Sequence, residues 1–180
     1  MKVNYAGTRR VTEQVMQLMS AGAAIASISS TAGMGWSRKI PVLMELVQKD
    51  SYESAIAWCE ANMETVHEGY SLSKEAMILW TMLASSKTIK RGIRLNCTLP
   101  GPTQTPMMNH FESRTEAKVL NTFIQPIDRR STPEEQAAAL IFLNSDKSSY
   151  INGVALPVDG GFLGGVATGQ VDLSALMPAA

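Results

Sequence analysis

Cysteine is scarce in this chain: Cys59 and Cys97 stand far apart and match no metal-binding or redox spacing. Two isolated thiols suit a reducing, cytoplasmic setting better than a disulfide-stapled one. Histidine is equally scarce, and His67 and His110 share no ligand spacing with acids or cysteines, so no metal site is expected. Excess charge is missing as well, since 16 Lys and Arg balance 16 Asp and Glu. Neutralising phosphates takes a basic surplus, and no aromatic-basic patch stands in for one, so nucleic acid is excluded as the main ligand. No run of apolar residues reaches the length of about 18 that a membrane-spanning helix needs. Met1 to Ser20 carries Lys2, Arg9, Arg10 and Glu13 and lacks the apolar stretch of a signal peptide. No membrane partner is expected.

What remains is the composition of a globular chain, 45% hydrophobic and 18% charged over 180 residues. That length suits one domain, and the apolar fraction is too high for disorder. Methionine is the one surplus, with 11 residues.

Periodicity divides the chain into alternating elements. Val11, Val15, Leu18 and Met19 recur at helical spacing over Thr8 to Met19. Ser20-Ala21-Gly22 ends that helix, and Ala23 to Ser29 reads as a buried strand, followed by a loop at Thr31-Ala32-Gly33-Met34-Gly35. Helical spacing returns from Ile40 to Val66, broken at Asp50-Ser51, where Ser51 is placed as an N-cap. A long helix follows from Tyr70 to Thr88, with Ala76, Leu79, Trp80 and Leu83 on its inner side. Gly92 stops it, Ile93 to Leu99 is the next strand, and Pro100-Gly101-Pro102 breaks that strand sharply. Met107 to Ile124 reads as mixed helix. Thr132-Pro133-Glu134-Glu135 opens a helix to Asn144, with a threonine cap, proline at the first position and acids in the first turn. Val154 to Val158 is a last strand, Asp159-Gly160-Gly161 turns out of it, and the Gly- and Ala-rich tail 164–180 is expected to be flexible. Helices alternating with near-continuous apolar strands predict a parallel sheet covered on both faces.

One constellation carries chemistry. Tyr70 and Lys74 are four residues apart on a helix and share a face. A cation beside a phenol favours the phenolate and lowers the phenol pKa from about 10. Such a phenol can exchange a proton with an alcohol or carbonyl near neutral pH. Ser30, at the carboxyl end of a strand, could hold the substrate oxygen, and that end of a parallel sheet is where α/β folds place ligands. On spacing alone, a solvated lysine beside a packed tyrosine describes the same residues.

The wider sequence resembles the short-chain dehydrogenase/reductase family. Val3-Asn4-Tyr5-Ala6-Gly7-Thr8 is similar to the start of its central helix, and Ile28-Ser29-Ser30-Thr31-Ala32-Gly33 to the strand and loop of its catalytic serine. Ser30 aligns with that serine, with Ser29 as the alternative. Tyr70 and Lys74 fall on the Tyr-x-x-x-Lys motif. Ile93-Arg94-Leu95-Asn96-Cys97-Thr98-Leu99-Pro100-Gly101 resembles the strand and Pro-Gly turn beside the nicotinamide, and Thr103 and Thr105 fall where the family contacts the carboxamide and phosphates. Asn152-Gly153 and Pro157-Val158-Asp159-Gly160-Gly161 resemble its closing segment. The resemblance implies NAD or NADP as cofactor and the interconversion of an alcohol with a ketone or aldehyde. It implies Tyr70 as general acid/base and Ser30 orienting the substrate oxygen. Lys74 would act on the phenol and the nicotinamide ribose, and Asn4 would hold a water that links Lys74 to solvent. Pro100, Gly101, Thr103 and Thr105 would line the cofactor. A homo-oligomer is also implied.

The chain departs from the family pattern twice. The glycine-rich turn Thr-Gly-x-x-x-Gly-x-Gly, which lets backbone approach a pyrophosphate at a helix N-terminus, is not in these 180 residues. Gly160-Gly161-Phe162-Leu163-Gly164-Gly165 follows the last strand instead and reads as a flexible turn. The expected fold is therefore α/β, the C-terminal part of a Rossmann-type doubly wound parallel sheet lacking the first βαβαβ strands. Residues 1–180 then form a single partial domain, an N-terminally truncated one with weak or absent cofactor binding on its own. The choice between NAD and NADP would lie before Met1. A catalytically inactive remnant, at most a subunit-association fragment, is the alternative to an active oxidoreductase.

The second departure is a helical insertion at 37–64 between Ser30 and Tyr70. It resembles a subgroup containing bacterial 3α-hydroxysteroid dehydrogenase/carbonyl reductases and coniferyl-alcohol dehydrogenases. Met34, Met44 and Met63, with Met107 and Met108 after the Pro-Gly turn, are expected around the site. Met34, Met107 and Met108 are the expected pocket wall for a bulky apolar substrate, steroidal or aromatic. Ordinary core filling is the competing reading of these methionines, and of Trp36 and Trp58.

Overall fold

A computed structural model of the protein describes residues 1–67, 69–108 and 116–176. Among these, three strands, β1 (Ala24–Ile28), β2 (Arg94–Pro100) and β3 (Ala155–Val158), form a parallel sheet in the order β1-β2-β3. Ser27 lies opposite Cys97, and Cys97 opposite Ala155. Each strand ends at the same side of the sheet, which gathers Ser29-Ser30, Pro100-Gly101 and Asp159 along one rim.

The first helix, α1 (Thr8–Gln17), continues a wide helical turn at Lys2–Gly7. After β1, a 3₁₀ helix occupies Thr31–Arg38, where the sequence predicts a loop. Ser30 makes this ordered turn possible, because its hydroxyl accepts the Ala32 N–H at 3.1 Å and caps the free end. Three helices fill the insertion: α2 (Ile40–Val47), α3 (Tyr52–Ala61) and α4 (Met63–Val66). The Ser51 cap on α3 is a reciprocal box with Ser54. The long helix α5 spans Tyr70–Thr88, within the limits its periodicity sets.

Alternation along β2 assigns the two faces of the sheet. Leu95, Cys97 and Leu99 face α5, where Ala76, Ile78, Leu79 and Trp80 are buried against them. Arg94, Asn96 and Thr98 face the other way, toward α7 (Pro133–Leu143), which follows α6 (Ala117–Thr122). Polar residues tolerate that burial because their bonds are made. Arg94 donates to the carbonyls of Leu143, Ser145 and Ile151 at 2.9, 2.9 and 3.2 Å. Asn96 donates to the Ile151 carbonyl at 3.1 Å and accepts the Val154 N–H at 3.0 Å. Asn152 answers from the loop before β3: it accepts the Leu95 N–H at 3.0 Å and donates to the Ser85 carbonyl at 3.2 Å.

Two further expectations change on the structure. The stripe Val11, Val15, Leu18 on α1 faces solvent, Leu18 being 88% exposed, while Thr12 and Met16 supply the buried contacts. Leu83 is partly exposed rather than on the inner side of α5. In the tail, Gly164 and Gly165 lie inside a short helix, α8 (Phe162–Ala167), and Val171 packs so close to Gly165 that an added Cβ would meet it at 2.5 Å. His110 lies outside the described residues. Among the described residues, no helix is long and apolar enough to cross a membrane, and no cluster of three metal-ligating side chains occurs.

The start of α7 carries a pH-sensitive lock. Arg129 forks onto both oxygens of Glu135 at 2.8 and 2.7 Å, and the Thr132 N–H donates to the same carboxylate at 2.8 Å. The Arg129 guanidinium, followed by the backbone donor, holds the Glu135 carboxyl down from its ordinary 4.5 to about 2. A depressed folded-state pKa gives stability that is present above the unfolded value and lost as the pH falls through the folded one. The urea midpoint should therefore decline between pH 4.5 and about 2. In Glu135→Gln that part of the decline should be missing, as urea titrations across the acid range would record.

Candidate active site

The carboxyl end of β1 and the first turn of α5 are fastened to each other through Lys74. Its ammonium donates to the Ile28 carbonyl at 3.2 Å and stands 5.7 Å from the centre of the Tyr70 ring. Partial burial pushes the Lys74 ammonium below its ordinary pKa. The Lys74 backbone is held as well, because Ser29 Oγ donates to its carbonyl at 2.8 Å. Ser29 is buried, with its hydroxyl committed to α5, whereas Ser30 is partly exposed at the rim. The alternative between the two serines thus meets two different environments. Tyr70 is 47% exposed at the N-terminus of α5.

The Pro-Gly turn adjoins this cluster through Thr31, whose Oγ1 donates to the Pro100 carbonyl at 3.2 Å. Gly101 lies close against the end of β3, where a Cβ would stand 3.0 Å from the Asp159 Cα, so a larger residue there would have to push that turn aside. Asn4 sits in the N-terminal turn, which approaches the start of α5 where Met1 packs beside Gly69. Thr103 is turned into its own loop: Oγ1 donates to the Gly101 carbonyl at 3.0 Å and lies 3.0 Å from Ser131 Oγ. Thr105 accepts the Met108 N–H at 3.3 Å, which leaves its hydroxyl proton for another acceptor.

The methionines are spread out. Met107 is 81% exposed, Met34 and Met63 are exposed to a lesser degree, and Met44 packs against the main core. Trp58 is core too, with its Nε1–H donating to Glu45 at 3.2 Å. A cavity of about 270 Å³ opens beside the Pro-Gly turn, lined by Gly101, Pro102, Phe123, Ile127, Ser131 and Gly160 among others. Ser30, Tyr70 and Lys74 are not in its lining.

Sequence reasoning misses one pair beside this cluster. Glu75, directly after Lys74, has a side chain only 3% exposed and receives Lys39 Nζ on both oxygens at 2.9 and 3.0 Å. The available signal is an acid set among the apolar residues Ala76, Met77, Ile78 and Leu79, all of them buried.

The donor set suits an oxygen-rich cofactor at one end. Lys74 spends one of its three protons on Ile28. Tyr70 and Thr105 add hydroxyls, and the Pro100–Gly101 backbone stands at the same rim.

Known proteins resemble this chain in sequence and in fold. A family profile described as enoyl-(acyl carrier protein) reductase fits residues 46–163, well over half of the chain. Coniferyl-alcohol dehydrogenase of a Pseudomonas species is 31% identical over 160 residues, covering 88% of this chain and 63% of that protein. The 3-alpha-hydroxysteroid dehydrogenase/carbonyl reductase of Comamonas testosteroni is 24% identical over 164 residues, with 88% and 63% covered. Among solved structures, 3-alpha-hydroxysteroid dehydrogenase from Pseudomonas sp. B-0831, complexed with NADH, superposes with a TM-score of 0.64 at 27% identity. That match covers 83% of this chain and 58% of the other. The chain thus spans less than two thirds of the length of these relatives. By its sequence match and its parallel sheet, the chain belongs to the short-chain dehydrogenase/reductase family.

Proposed function

We propose that this chain carries the proton-transfer apparatus of an NAD(P)-dependent oxidoreductase that interconverts an alcohol with a ketone or aldehyde. The observation that carries the reading is the placement of Tyr70 and Lys74 on one face of α5, fastened to the β1 rim that ends in Ser30. Ser30 donates its hydroxyl proton to the substrate oxygen and fixes its direction. Tyr70 exchanges a proton with that oxygen through its phenol. Lys74 supplies the positive charge beside the phenol, and its remaining protons suit ribose hydroxyls. NAD or NADP, when bound, supplies the hydride acceptor or donor. Lys74, Thr105 and the Pro100–Gly101 backbone would hold its nicotinamide end. Thr103 contributes by shaping the turn, since its hydroxyl is already used. Asn4, in the N-terminal turn that packs on α5, would hold a water linking Lys74 to solvent.

The substrate class we favour is a bulky apolar alcohol or ketone, aromatic or steroidal. The names of the two relatives support it, as do the exposed Met34 and Met107 on the segments that follow Ser30 and the Pro-Gly turn. A cytoplasmic setting agrees with two free, buried cysteines, and the family resemblance favours a homo-oligomer.

Because the glycine-rich phosphate turn is not among the 180 residues, cofactor should bind more weakly than micromolar. The assay is therefore run at millimolar NAD or NADP, following nicotinamide absorbance with an aromatic alcohol, a steroid alcohol and ethanol. Turnover of either bulky alcohol above ethanol is the expected result. Absence of turnover with every alcohol and both cofactors overturns it. The cavity beside the Pro-Gly turn leaves Ser30, Tyr70 and Lys74 out of its lining, which favours a second reading, a chain that keeps the chemical residues without activity, and that null outcome would support it.

A further inference from the structure

We propose that Lys39 and Glu75 are positioning residues, a charged clasp that holds the segment following Ser30 against Lys74. The proposal rests on the reaction proposed above for its catalytic consequence, though not for the clasp itself.

The clasp is built from a carboxylate that has left water. Glu75 sits on α5 next to Lys74, yet about 100° further round the helix, so it points into the Thr31–Arg38 segment rather than along the Tyr70–Lys74 face. Its carboxylate is nearly inaccessible, and Lys39, half-exposed at the far end of that segment, meets both oxygens at 2.9 and 3.0 Å. The segment itself is shaped to lie flat on α5. A Cβ at Gly33 would come within 3.0 Å of the Lys74 carbonyl carbon and 2.8 Å of Ile78 Cδ1. A Cβ at Gly35 would come within 2.7 Å of Glu75 Oε1. The segment is thus fixed at its start by Ser29 on the Lys74 carbonyl and by Thr31 on Pro100, in its middle by two glycines, and at its end by the ion pair.

Packing alone does not call for a carboxylate at this position. The residues that follow Glu75 on α5 are buried and apolar, and an apolar side chain would avoid the cost of desolvating a charge. An ion pair adds direction: a buried carboxylate is satisfied only when a cation arrives at one place. A one-residue slip of Thr31–Arg38 along α5 would carry Lys39 off Glu75 and leave the charge unpaired. The pair therefore selects a single register. Ser30 is the N-cap of this same segment, and its hydroxyl direction follows that register.

The test combines amide hydrogen exchange with steady-state kinetics on the full chain. In Glu75→Gln, which keeps shape and loses charge, amides of residues 31–38 should exchange about tenfold faster or more, while those inside α5 keep their protection. The kcat should fall about 10- to 100-fold with KM little changed, because a misplaced Ser30 costs orientation rather than binding. Lys39→Arg preserves the pair and should retain both the slow exchange and the kcat. The double variant Lys39→Met with Glu75→Met should recover thermal stability, yet keep the low kcat. Unchanged exchange in Glu75→Gln overturns the clasp, and a double variant that regains kcat along with stability overturns the positioning role. If Glu75→Gln does not fold, Lys39→Gln, altered at the half-exposed partner, carries the same comparison. A wild-type chain without turnover defeats the proposed reaction, while the exchange measurement still decides the clasp.

Discussion

Tyr70→Phe should lower turnover of a bulky alcohol by about 10²- to 10⁴-fold, the range that a positioned general acid/base contributes. The substitution removes one oxygen and keeps the ring under the Lys74 ammonium, 5.7 Å from its centre. Since Tyr70 is exposed at the helix start, no cavity opens and no buried group loses a partner. Thermal stability and the affinity for reduced cofactor should therefore stay close to wild type. The kinetics are read at millimolar cofactor, with melting temperature and cofactor fluorescence recorded beside them. Residual turnover within tenfold of wild type would remove Tyr70 from the proton-transfer role. Loss of turnover together with loss of the fold would instead mean that the phenol is structural. Ser30→Ala provides a graded comparison, because it removes orientation of the substrate oxygen without removing the proton donor. It also loses the cap on Ala32, so its effect must be read against its melting temperature.

Arg94→Met should cost about 2–3 kcal/mol of stability. Arg94 is a buried cation whose partners are all carbonyls: Leu143 and Ser145 at the end of α7, and Ile151 in the loop before β3. Each of those carbonyls has one other side-chain donor, the Ser148 hydroxyl for Leu143 and Ser145 and the Asn96 amide for Ile151, so Arg94 adds the charged bond that ties β2 to a helix C-terminus and a connecting loop. Methionine fills a similar volume but takes that donor away from all three. For a chain of this size the loss corresponds to about 4–12 °C in melting temperature. Arg94→Lys reaches at most part of the set and should fall between. If Arg94→Met melts within a degree or two of wild type, the Ser148 and Asn96 donors suffice for the three carbonyls and the role given to Arg94 is wrong.

How far the fold could be read in advance depended on whether the governing contacts were local. The α5 boundaries agree because Gly69 and Gly92 bracket a stretch that contains no glycine or proline, and α7 agrees because its cap, proline and acids lie within four residues. The 3₁₀ helix after β1 reads as a loop in the sequence because Gly33 and Gly35 interrupt it, and its order comes from α5, some forty residues away. The α1 stripe shows the opposite limit. Spacing identified a helical face, but nothing in the spacing says which face another element will cover. For the site, Tyr70 and Lys74 were legible because one helix turn joins them. The Lys39–Glu75 pair was not, since 36 residues separate its members and only the closed fold brings them together. Ser29 and Ser30 are adjacent and chemically identical, so their separate environments had to come from the strand's pleat.

The crossed asparagines between β2 and the loop before β3 bear on how the protein ages. Asn152 precedes Gly153, and in a free chain that pair cyclises readily: the glycine nitrogen attacks the side-chain amide, and hydrolysis leaves aspartate or isoaspartate. In the folded protein the attacking nitrogen donates to the Leu95 carbonyl at 2.9 Å, and the amide under attack is held by Leu95 and Ser85. Neither can rotate toward the other without opening the sheet. Deamidation at Asn152 therefore proceeds only through molecules that have opened there, and each such event leaves a carboxylate where an amide had donated to Ser85. Chemical damage at this one position would record how often the β2–β3 seam has come apart.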